Sequence, residues 1–206
     1  IISTGMATIN EIEETIKWIK AERISHNLNS ELKSFITLLH CTSCYPAPIE
    51  SINLRAISTI KNTFNLDVGY SDHSSGIEVA PLAVAMGATF IEKHFTADKN
   101  QTGPDHKASL SPDELNAMVK KIRNTEIIMG TSLKHPTKEE EEIKISSRRS
   151  LCLTKDLKKG DKLSIDNITP KRPGDGIQPK DIDKVLGKIL NKNKFSGNTL
   201  FWKDLV

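Results

Sequence analysis

The sequence predicts an α/β fold built on a parallel sheet, and three observations support this prediction. Short apolar runs alternate with helical patterns through residue 130. Each predicted helix carries its own start signal, most clearly a Ser or Thr followed three residues later by Glu. Each apolar run also ends in polar side chains, at the point where parallel sheets gather their functional groups.

Four predicted strands precede the helices in turn, at residues Ile1–Ile2, Phe35–Leu39, Leu66–Tyr70 and Thr89–Ile91. The first helix follows a capping motif formed by Thr8 and Glu11 and has isoleucines at helical spacing. Ser75 and Glu78 repeat the motif ahead of a helix that we expect Gly87 to end.

The last helix of this region has the most complete start signal. Ser111 is a capping residue, Pro112 suits the first turn, and Glu114 completes the capping motif. We expect Gly130 to end this helix. The four strand–helix units therefore occupy residues 1–130.

Four units are half of a closed eight-stranded (β/α) barrel, which needs roughly 250 residues. We therefore expect residues 1–130 to form the C-terminal half of a TIM barrel, strands 5 to 8 with their helices. A doubly wound open sheet is the alternative, but no G-x-G-x-x-G loop follows a predicted strand. Because the chain opens with Ile1 and not with Met, we also expect an N-terminal part to precede it.

Beyond residue 130 the composition changes twice. Residues 131–147 are rich in Lys, Glu, Pro and Ser, which predicts a solvated linker or helix face. Residues 148–206 have short apolar segments separated by turn signals, with one helical stretch near Asp181 to Leu186. We expect a small, mostly β domain there.

Composition excludes several classes of protein. Across 206 residues the formal net charge is only +3 and no basic stripe is present, which argues against nucleic-acid binding. No apolar run approaches the roughly 20 residues that cross a bilayer, so a membrane partner is not expected. Three cysteines are too few for a disulfide framework, which favours a reducing, cytoplasmic location.

Histidines and a carboxylate follow the third and fourth predicted strands. Ser71 and His73 share one face of a strand, as do Glu92 and His94, so two imidazoles and a carboxylate can converge. Such groups suit Mn²⁺ or Zn²⁺ with open positions for substrate, although either histidine alone could be structural. The C-x-x-C pair at Cys41 lacks a second pair and a redox context, which disfavours zinc or redox chemistry there.

Five ordered motifs resemble the sialic acid synthase family, and they are Ile2–Met6, Leu39–Ser43 with Tyr45-Pro46, Gly69–His73, Ile91–Thr96 and Gly103–Ser109. The C-terminal segment resembles that family's antifreeze-like (SAF) domain, through Asp156–Gly160, Lys171–Gly174 and Leu186–Lys188. The resemblance covers almost all of the chain. It implies half of a TIM barrel followed by a SAF (β-clip) domain.

The resemblance also implies a reaction, the condensation of phosphoenolpyruvate with N-acetylmannosamine or a related N-acetylated aldose. The products would be a nine-carbon 2-keto sugar acid and phosphate. By the same resemblance, His73 and His94 hold a divalent metal, Mn²⁺ foremost with Mg²⁺ or Co²⁺ as alternatives. Glu92 would act beside the metal, either orienting a ligand or handling a proton.

The remaining site residues come from the same resemblance. Ser3, Ser43 and Ser71 would contact the phosphate and carboxylate of phosphoenolpyruvate, and Tyr45 and Asp105 would contact the sugar. In the family the SAF domain of one subunit covers the barrel of the other. Arg172 would therefore reach the sugar in a partner's site, within a domain-swapped homodimer.

Two departures from the family and several alternatives accompany this interpretation. The first half of the family's barrel supplies phosphoenolpyruvate-binding lysines and an acidic residue, so this chain alone is expected to be inactive. Ser43 stands where some relatives carry asparagine. A legionaminic or pseudaminic acid synthase, a non-catalytic carbohydrate- or partner-binding module and a barrel metal hydrolase are the alternatives.

Overall fold

The computed structural model of the chain describes residues 1–28 and 30–206. Its backbone forms two compact units, Ile1–Thr131 and Ser132–Val206, each with a hydrophobic core of its own. Within the described ranges, no helix is both long and apolar enough to cross a lipid bilayer.

The first unit is built on a four-stranded parallel sheet in the order β1-β2-β3-β4. The strands are β1 (Ile2–Ser3), β2 (Thr37–Cys41), β3 (Asp67–Asp72) and β4 (Ile91–Lys93). They alternate with the helices α1 (Ile9–Ser25), α2 (Arg55–Phe64), α3 (Val79–Ala85) and α4 (Pro112–Met129). The α/β prediction is confirmed, but β2, β3 and β4 each end two residues later than predicted.

Two of the three predicted capping motifs form. The Thr8–Glu11 motif begins α1 and the Ser111–Glu114 motif begins α4, each with both reciprocal hydrogen bonds. The Ser75–Glu78 prediction is wrong, because α3 has no side-chain cap at its first residue. The Glu78 carboxylate instead accepts a hydrogen bond from Lys121 of α4.

The helix-facing side of the sheet forms the core of the first unit. Leu38, Val68 and Tyr70 have no exposed surface and cluster with Ile57 of α2 and Ala83 of α3. Burial raises the pKa of the Tyr70 phenol well above its ordinary value. Since side chains alternate along a strand, the residues between these face the opposite side of the sheet.

Gly69 of β3 allows its neighbours to approach closely. A Cβ atom there would lie 2.5 Å from the carbonyl oxygen of Phe90 and 2.6 Å from Leu39 Cδ2. The Tyr70 N–H donates to the same Phe90 carbonyl at 2.8 Å, so the backbone at Phe90 cannot move away from residue 69 without losing this hydrogen bond. The packing therefore requires glycine at this position.

Gly69→Ala is expected to lower the free energy of unfolding of the first unit by about 1–3 kcal/mol, because the added methyl group would overlap Phe90 and Leu39 at closely packed positions of the sheet. Hydrogen exchange of the β2, β3 and β4 amides in the full-length protein measures the change. Asp67→Ala, at the exposed start of the same strand, is the control and should change stability by less than about 0.5 kcal/mol. Unchanged exchange in Gly69→Ala would contradict the packing argument.

The second unit begins with a helix, α5 (Lys138–Ser147), which lies inside the segment predicted as a linker or helix face. Thr137 and Glu140 form a capping box at its start. Its residues are mostly exposed, in agreement with the expected solvated charge run. The backbone of Ile145 in this helix accepts a hydrogen bond from the Gly174 N–H, so the helix belongs to the unit that follows it.

The rest of the second unit is small and turn-rich, as predicted. Strand β5 (Ser150–Leu153) pairs antiparallel with β6 (Ile168–Lys171), and α6 (Ile182–Val185) lies at the predicted helical stretch. Isolated antiparallel bridges extend the pairing toward the C-terminal residues. The core of this unit contains the fully buried Leu151 and Leu153.

A buried ion cluster centred on Asp204 holds the C-terminal turn of the second unit. The Asp204 side chain has no exposed surface and contacts Lys192 Nζ at 2.8 Å and also Lys194 Nζ. It accepts the Phe201 N–H at 3.0 Å. Burial acts to raise the pKa of this carboxyl, but the two lysines and the N–H outweigh it and hold the pKa below its ordinary value.

Candidate functional site

A cleft of about 310 Å³ opens beside the carboxyl ends of β3 and β4. Loops that follow β2, β3 and β4 line it, which is the position expected for a site in a parallel α/β sheet. Its lining includes Tyr45, Asp72, His73, Ser74, His94, Asp105 and Lys107.

Strand register places the polar groups on one face of the sheet. Cys41 of β2 lies opposite Ser71 of β3, and Ser71 lies opposite Glu92 of β4. By alternation these residues face away from the helix-packed core. The Ser71 hydroxyl donates to Glu92 Oε1 at 2.6 Å and lies 3.1 Å from His73 Nε2, so Ser71 and His73 lie on one face as predicted.

Contacts with Thr42 and Ser71 fix the orientation of the His73 ring. Its Nδ1 lies 2.8 Å from the Thr42 carbonyl oxygen, which can only accept, so Nδ1 carries the proton. Its Nε2 lies 3.1 Å from Ser71 Oγ, and the Ser71 hydroxyl donates its hydrogen bond to Glu92. In the neutral ring the Nε2 lone pair is therefore left without a donor.

The rings of His73 and His94 lie close together at the cleft. Their centroids are 5.8 Å apart and the rings meet edge to face at 82°. The Tyr45 ring packs against His73 at 4.1 Å and against His94 at 5.7 Å. The two histidine rings therefore converge as the strand pattern predicts, and the roles of all three side chains stay predictions.

The donor set at the cleft fits a divalent cation held by two histidines. The Thr42 carbonyl fixes His73 in the tautomer that leaves Nε2 free, which is the usual support for a metal-bound imidazole. Across residues 1–28 and 30–206, no group of three His, Cys, Asp or Glu side chains gathers as a metal site. Water or substrate oxygen would therefore complete the coordination of an ion bound by His73 and His94.

Asp105 reaches the cleft on the loop that follows β4. Its Oδ2 lies 3.9 Å from His94 Nδ1 and its side chain is 57% exposed. The Asp105 carbonyl accepts hydrogen bonds from the Ser109 N–H at 3.0 Å and Ser109 Oγ at 2.8 Å. The loop is thereby anchored while the Asp105 carboxylate remains available to a ligand. Lys107 on the same loop brings a cation to the cleft.

Ser3 and Ser43 lie at the ends of the first two strands. Ser3 pairs with Leu39 in the sheet and is exposed. Ser43 is exposed and lies beside Gly5, where an added Cβ would come 2.8 Å from Ser43 Oγ. Gly5 has a φ of +44°, so a larger residue would be strained as well as crowded. Both hydroxyls are accessible to an anion, and that role stays a prediction.

Arg172 lies in the second unit, on its surface, and follows β6. Its Nε donates to the Ser147 carbonyl at 3.0 Å, which leaves the terminal nitrogens of the guanidinium free of that contact. Its predicted reach into the site of a partner subunit stays a prediction.

Sequence reasoning missed three residues that support the site. The Thr42 carbonyl orients His73, and a buried ion pair joins Asp72 to Lys93. The alternation of side chains along the strands could have indicated this ion pair, because the opposite charges of Asp72 and Lys93 fall on the core-facing side of neighbouring strands. No signal in the sequence indicates the Thr42 contact, since it depends on the path of the backbone.

Two protein families match the chain. Residues 1–134 match the NeuB family, and residues 148–206 match the SAF domain. A solved N-acetylneuraminic acid synthetase from Leptospira borgpetersenii superposes with a TM-score of 0.58 at 38% identity, over 68% of this chain and 46% of that one.

Two curated relatives carry the same name, N,N'-diacetyllegionaminic acid synthase. The protein from Campylobacter jejuni is 47% identical over 193 residues, which are 94% of this chain and 56% of that protein. The protein from Legionella pneumophila is 43% identical over 205 residues, covering 100% of this chain and 56% of that protein. The chain thus spans little more than half the length of these relatives.

Proposed function

The chain belongs to the NeuB family and carries a SAF domain, and on that premise we propose that the protein is a sugar-acid synthase. It would condense phosphoenolpyruvate with an N-acylated amino aldose to give a nine-carbon 2-keto sugar acid and phosphate. The observation that carries the proposal is the cluster of Tyr45, His73, His94 and Asp105 around one cleft, with the Ser71–Glu92 pair beside it.

The enol carbon of phosphoenolpyruvate forms a bond to the aldehyde carbon of the sugar, and the aldehyde oxygen takes up a proton. Water adds to the carbon that bears the phosphate, and the bond from that carbon to the phosphate oxygen breaks. The oxygen of the water becomes the keto oxygen of the sugar acid, and its two protons balance the one taken up by the aldehyde oxygen and the one carried away by the phosphate. Atoms and electrons therefore balance without an oxidant or reductant.

His73 and His94 would hold the divalent cation, and a bound Mn²⁺ supplies polarisation of the aldehyde oxygen. The Thr42 carbonyl keeps His73 Nε2 available for that purpose. Tyr45 packs on both rings, which limits their rotation and excludes water from one side of the cleft.

The Ser71–Glu92 pair would handle protons in this reaction. Glu92 is exposed on the face of the sheet that carries His94, and its Oε1 accepts a hydrogen bond from the Ser71 hydroxyl at 2.6 Å. A carboxylate in this position can accept a proton from an attacking water, while the hydrogen bond fixes the Ser71 hydroxyl. Ser3 and Ser43 add exposed hydroxyls that suit the phosphate and carboxylate oxygens of phosphoenolpyruvate.

Asp105 would bind the sugar. Its carboxylate is exposed at the cleft on an anchored loop, and carboxylates accept hydrogen bonds from sugar hydroxyls and amides. Arg172 would add a second polar contact from the SAF domain of a partner subunit, in a domain-swapped homodimer. Its guanidinium is exposed and suits an acyl-amino carbonyl.

We favour an aldose with two acetamido groups over N-acetylmannosamine. The two relatives reported above are named N,N'-diacetyllegionaminic acid synthases, and that name implies two acetamido groups on the sugar. N-Acetylmannosamine and the aldose that leads to pseudaminic acid are the competing substrates.

The test is phosphate release by the full-length protein. Phosphoenolpyruvate and Mn²⁺ are supplied with each of the three aldoses, and inorganic phosphate and the mass of the sugar acid are measured. We expect release only when an aldose is present, fastest with the diacetamido sugar, and loss of release when a chelator removes the metal. Absence of phosphate with every aldose would reject the synthase proposal, and a faster reaction with N-acetylmannosamine would reject the substrate assignment.

A further inference from the structure

A buried ion pair joins β3 to β4 one residue before each cleft histidine. Lys93 Nζ lies 2.9 Å from Asp72 Oδ2, and the two side chains are 3% and 0% exposed. The two residues are also direct partners in the strand register. The residues that follow them are His73 and His94.

The same ion pair also forms hydrogen bonds with Ser74, the residue that follows His73. Asp72 Oδ1 accepts hydrogen bonds from the Ser74 N–H at 2.9 Å and from Ser74 Oγ at 2.6 Å. Lys93 Nζ donates to the Ser74 carbonyl. His73 thus lies between Asp72, a member of the ion pair, and Ser74, whose N–H, hydroxyl and carbonyl all bond to the pair.

Stability alone is a weak reason to keep such a pair. Removing two charges from water is costly, and buried ion pairs replaced by apolar residues of similar volume are often as stable or more so. Asp72 and Lys93 nevertheless lie on the core-facing side of the sheet, opposite the face that holds the histidines. Asp72 borders the cleft, but its side chain has no exposed surface, so the pair can set backbone geometry there while staying buried.

We propose that the Asp72–Lys93 ion pair is a positioning device that aims the rings of His73 and His94 at one shared point and thereby sets the affinity of the cleft for a divalent cation. The inference deepens the proposed function, since it concerns the metal that the synthase would use. Asp72 and Lys93 are positioning residues and do not themselves contact the substrate.

The test measures Mn²⁺ binding to the metal-free full-length protein without substrates, by electron paramagnetic resonance titration. The principal variant combines Asp72→Asn with Lys93→Met, which removes both charges and nearly conserves volume. We expect a folded protein whose dissociation constant for Mn²⁺ rises on the order of 10-fold, in the lower range seen for residues that support metal ligands. Added Mn²⁺ should recover much of the lost phosphate release.

A matched control neutralises an exposed ion pair of the same unit. Glu78 and Lys121 join α3 to α4 with side chains 74% and 45% exposed, away from the cleft residues. Glu78→Gln with Lys121→Met should leave the dissociation constant for Mn²⁺ unchanged. Circular dichroism and thermal unfolding of the metal-free proteins show whether each variant is folded.

An unchanged Mn²⁺ dissociation constant in the folded Asp72→Asn, Lys93→Met protein would overturn the proposal. If that variant does not fold, Asp72→Asn with Lys93→Gln, which also removes both charges and keeps a donor for the Ser74 carbonyl, replaces it with the same two outcomes. A native protein that binds no Mn²⁺ would overturn the proposal as well. A native protein that binds Mn²⁺ but releases no phosphate would reject the synthase function and leave the positioning role standing.

Discussion

Replacing both His73 and His94 with alanine is expected to lower metal-dependent phosphate release by about a hundred- to a thousand-fold, since a metal ion supplies several kcal/mol of charge stabilisation in such reactions. The two rings lie 5.8 Å apart at the cleft, and the free Nε2 of His73 has no donor of its own. The measurement is the rate of phosphate release at saturating phosphoenolpyruvate and sugar. Mn²⁺ binding should disappear in parallel.

Two exposed histidines provide the control for this experiment. His26 and His135 lie outside the cleft, so alanine at both should leave phosphate release and Mn²⁺ binding as they are. A folded His73→Ala, His94→Ala variant that releases phosphate at the native rate would contradict the synthase site. If the variant keeps native affinity for a carbohydrate ligand while the native protein shows no turnover, a non-catalytic binding module would be supported instead.

Asp204→Ala is expected to lower the free energy of unfolding of the second unit by about 3–5 kcal/mol, because it leaves the buried Lys194 ammonium without its counter-charge. The same change frees Lys192 and removes the acceptor of the Phe201 N–H. Hydrogen exchange measured by mass spectrometry over residues 148–206 of the full-length protein reports the loss locally.

The pKa of Asp204 adds a pH dependence with a definite sign. A carboxyl whose folded pKa lies below its unfolded value stabilises the fold above the unfolded pKa, and this contribution disappears as the pH falls through the folded pKa. The native second unit should therefore lose protection as the pH falls below about 4, and Asp204→Ala should lack that component of the acid response.

Asp181→Ala is the matched control for Asp204. Asp181 pairs with Lys184, whose side chain is 71% exposed, and surface pairs contribute only about 0–1 kcal/mol. Equal losses of protection in Asp181→Ala and Asp204→Ala would contradict the assignment of the Asp204 cluster as a buried centre of stability.

Much of the first unit could be predicted from local pattern. Alternating apolar runs located all four strands, and the capping motifs at Thr8 and Ser111 located the starts of α1 and α4. The predicted strand ends fell short because hydropathy stops at the first polar residue. In a parallel sheet, polar residues such as Ser71 and Asp72 continue the ladder and are buried by neighbouring strands.

The remaining errors and omissions depend on partners distant in sequence. Glu78 fits the capping pattern locally, but its carboxylate accepts a hydrogen bond from Lys121 of α4. A local sequence pattern contains no information about that distant partner. Thr137 and Glu140 hold a capping signal that was hidden within a strongly charged run. The proposed role of Arg172 came only from family resemblance, because its position relative to a partner subunit is a property of an assembly.

The alternation along β4 has a consequence for the chain's tolerance of changes in length. Glu92 and His94 fall on one side of the sheet, while Lys93 falls on the other and meets Asp72. Deleting Glu92 would invert the parity of the residues that follow it, so Lys93 would face the side of the cleft and His94 the core. A change in the length of a flanking loop leaves this alternation intact.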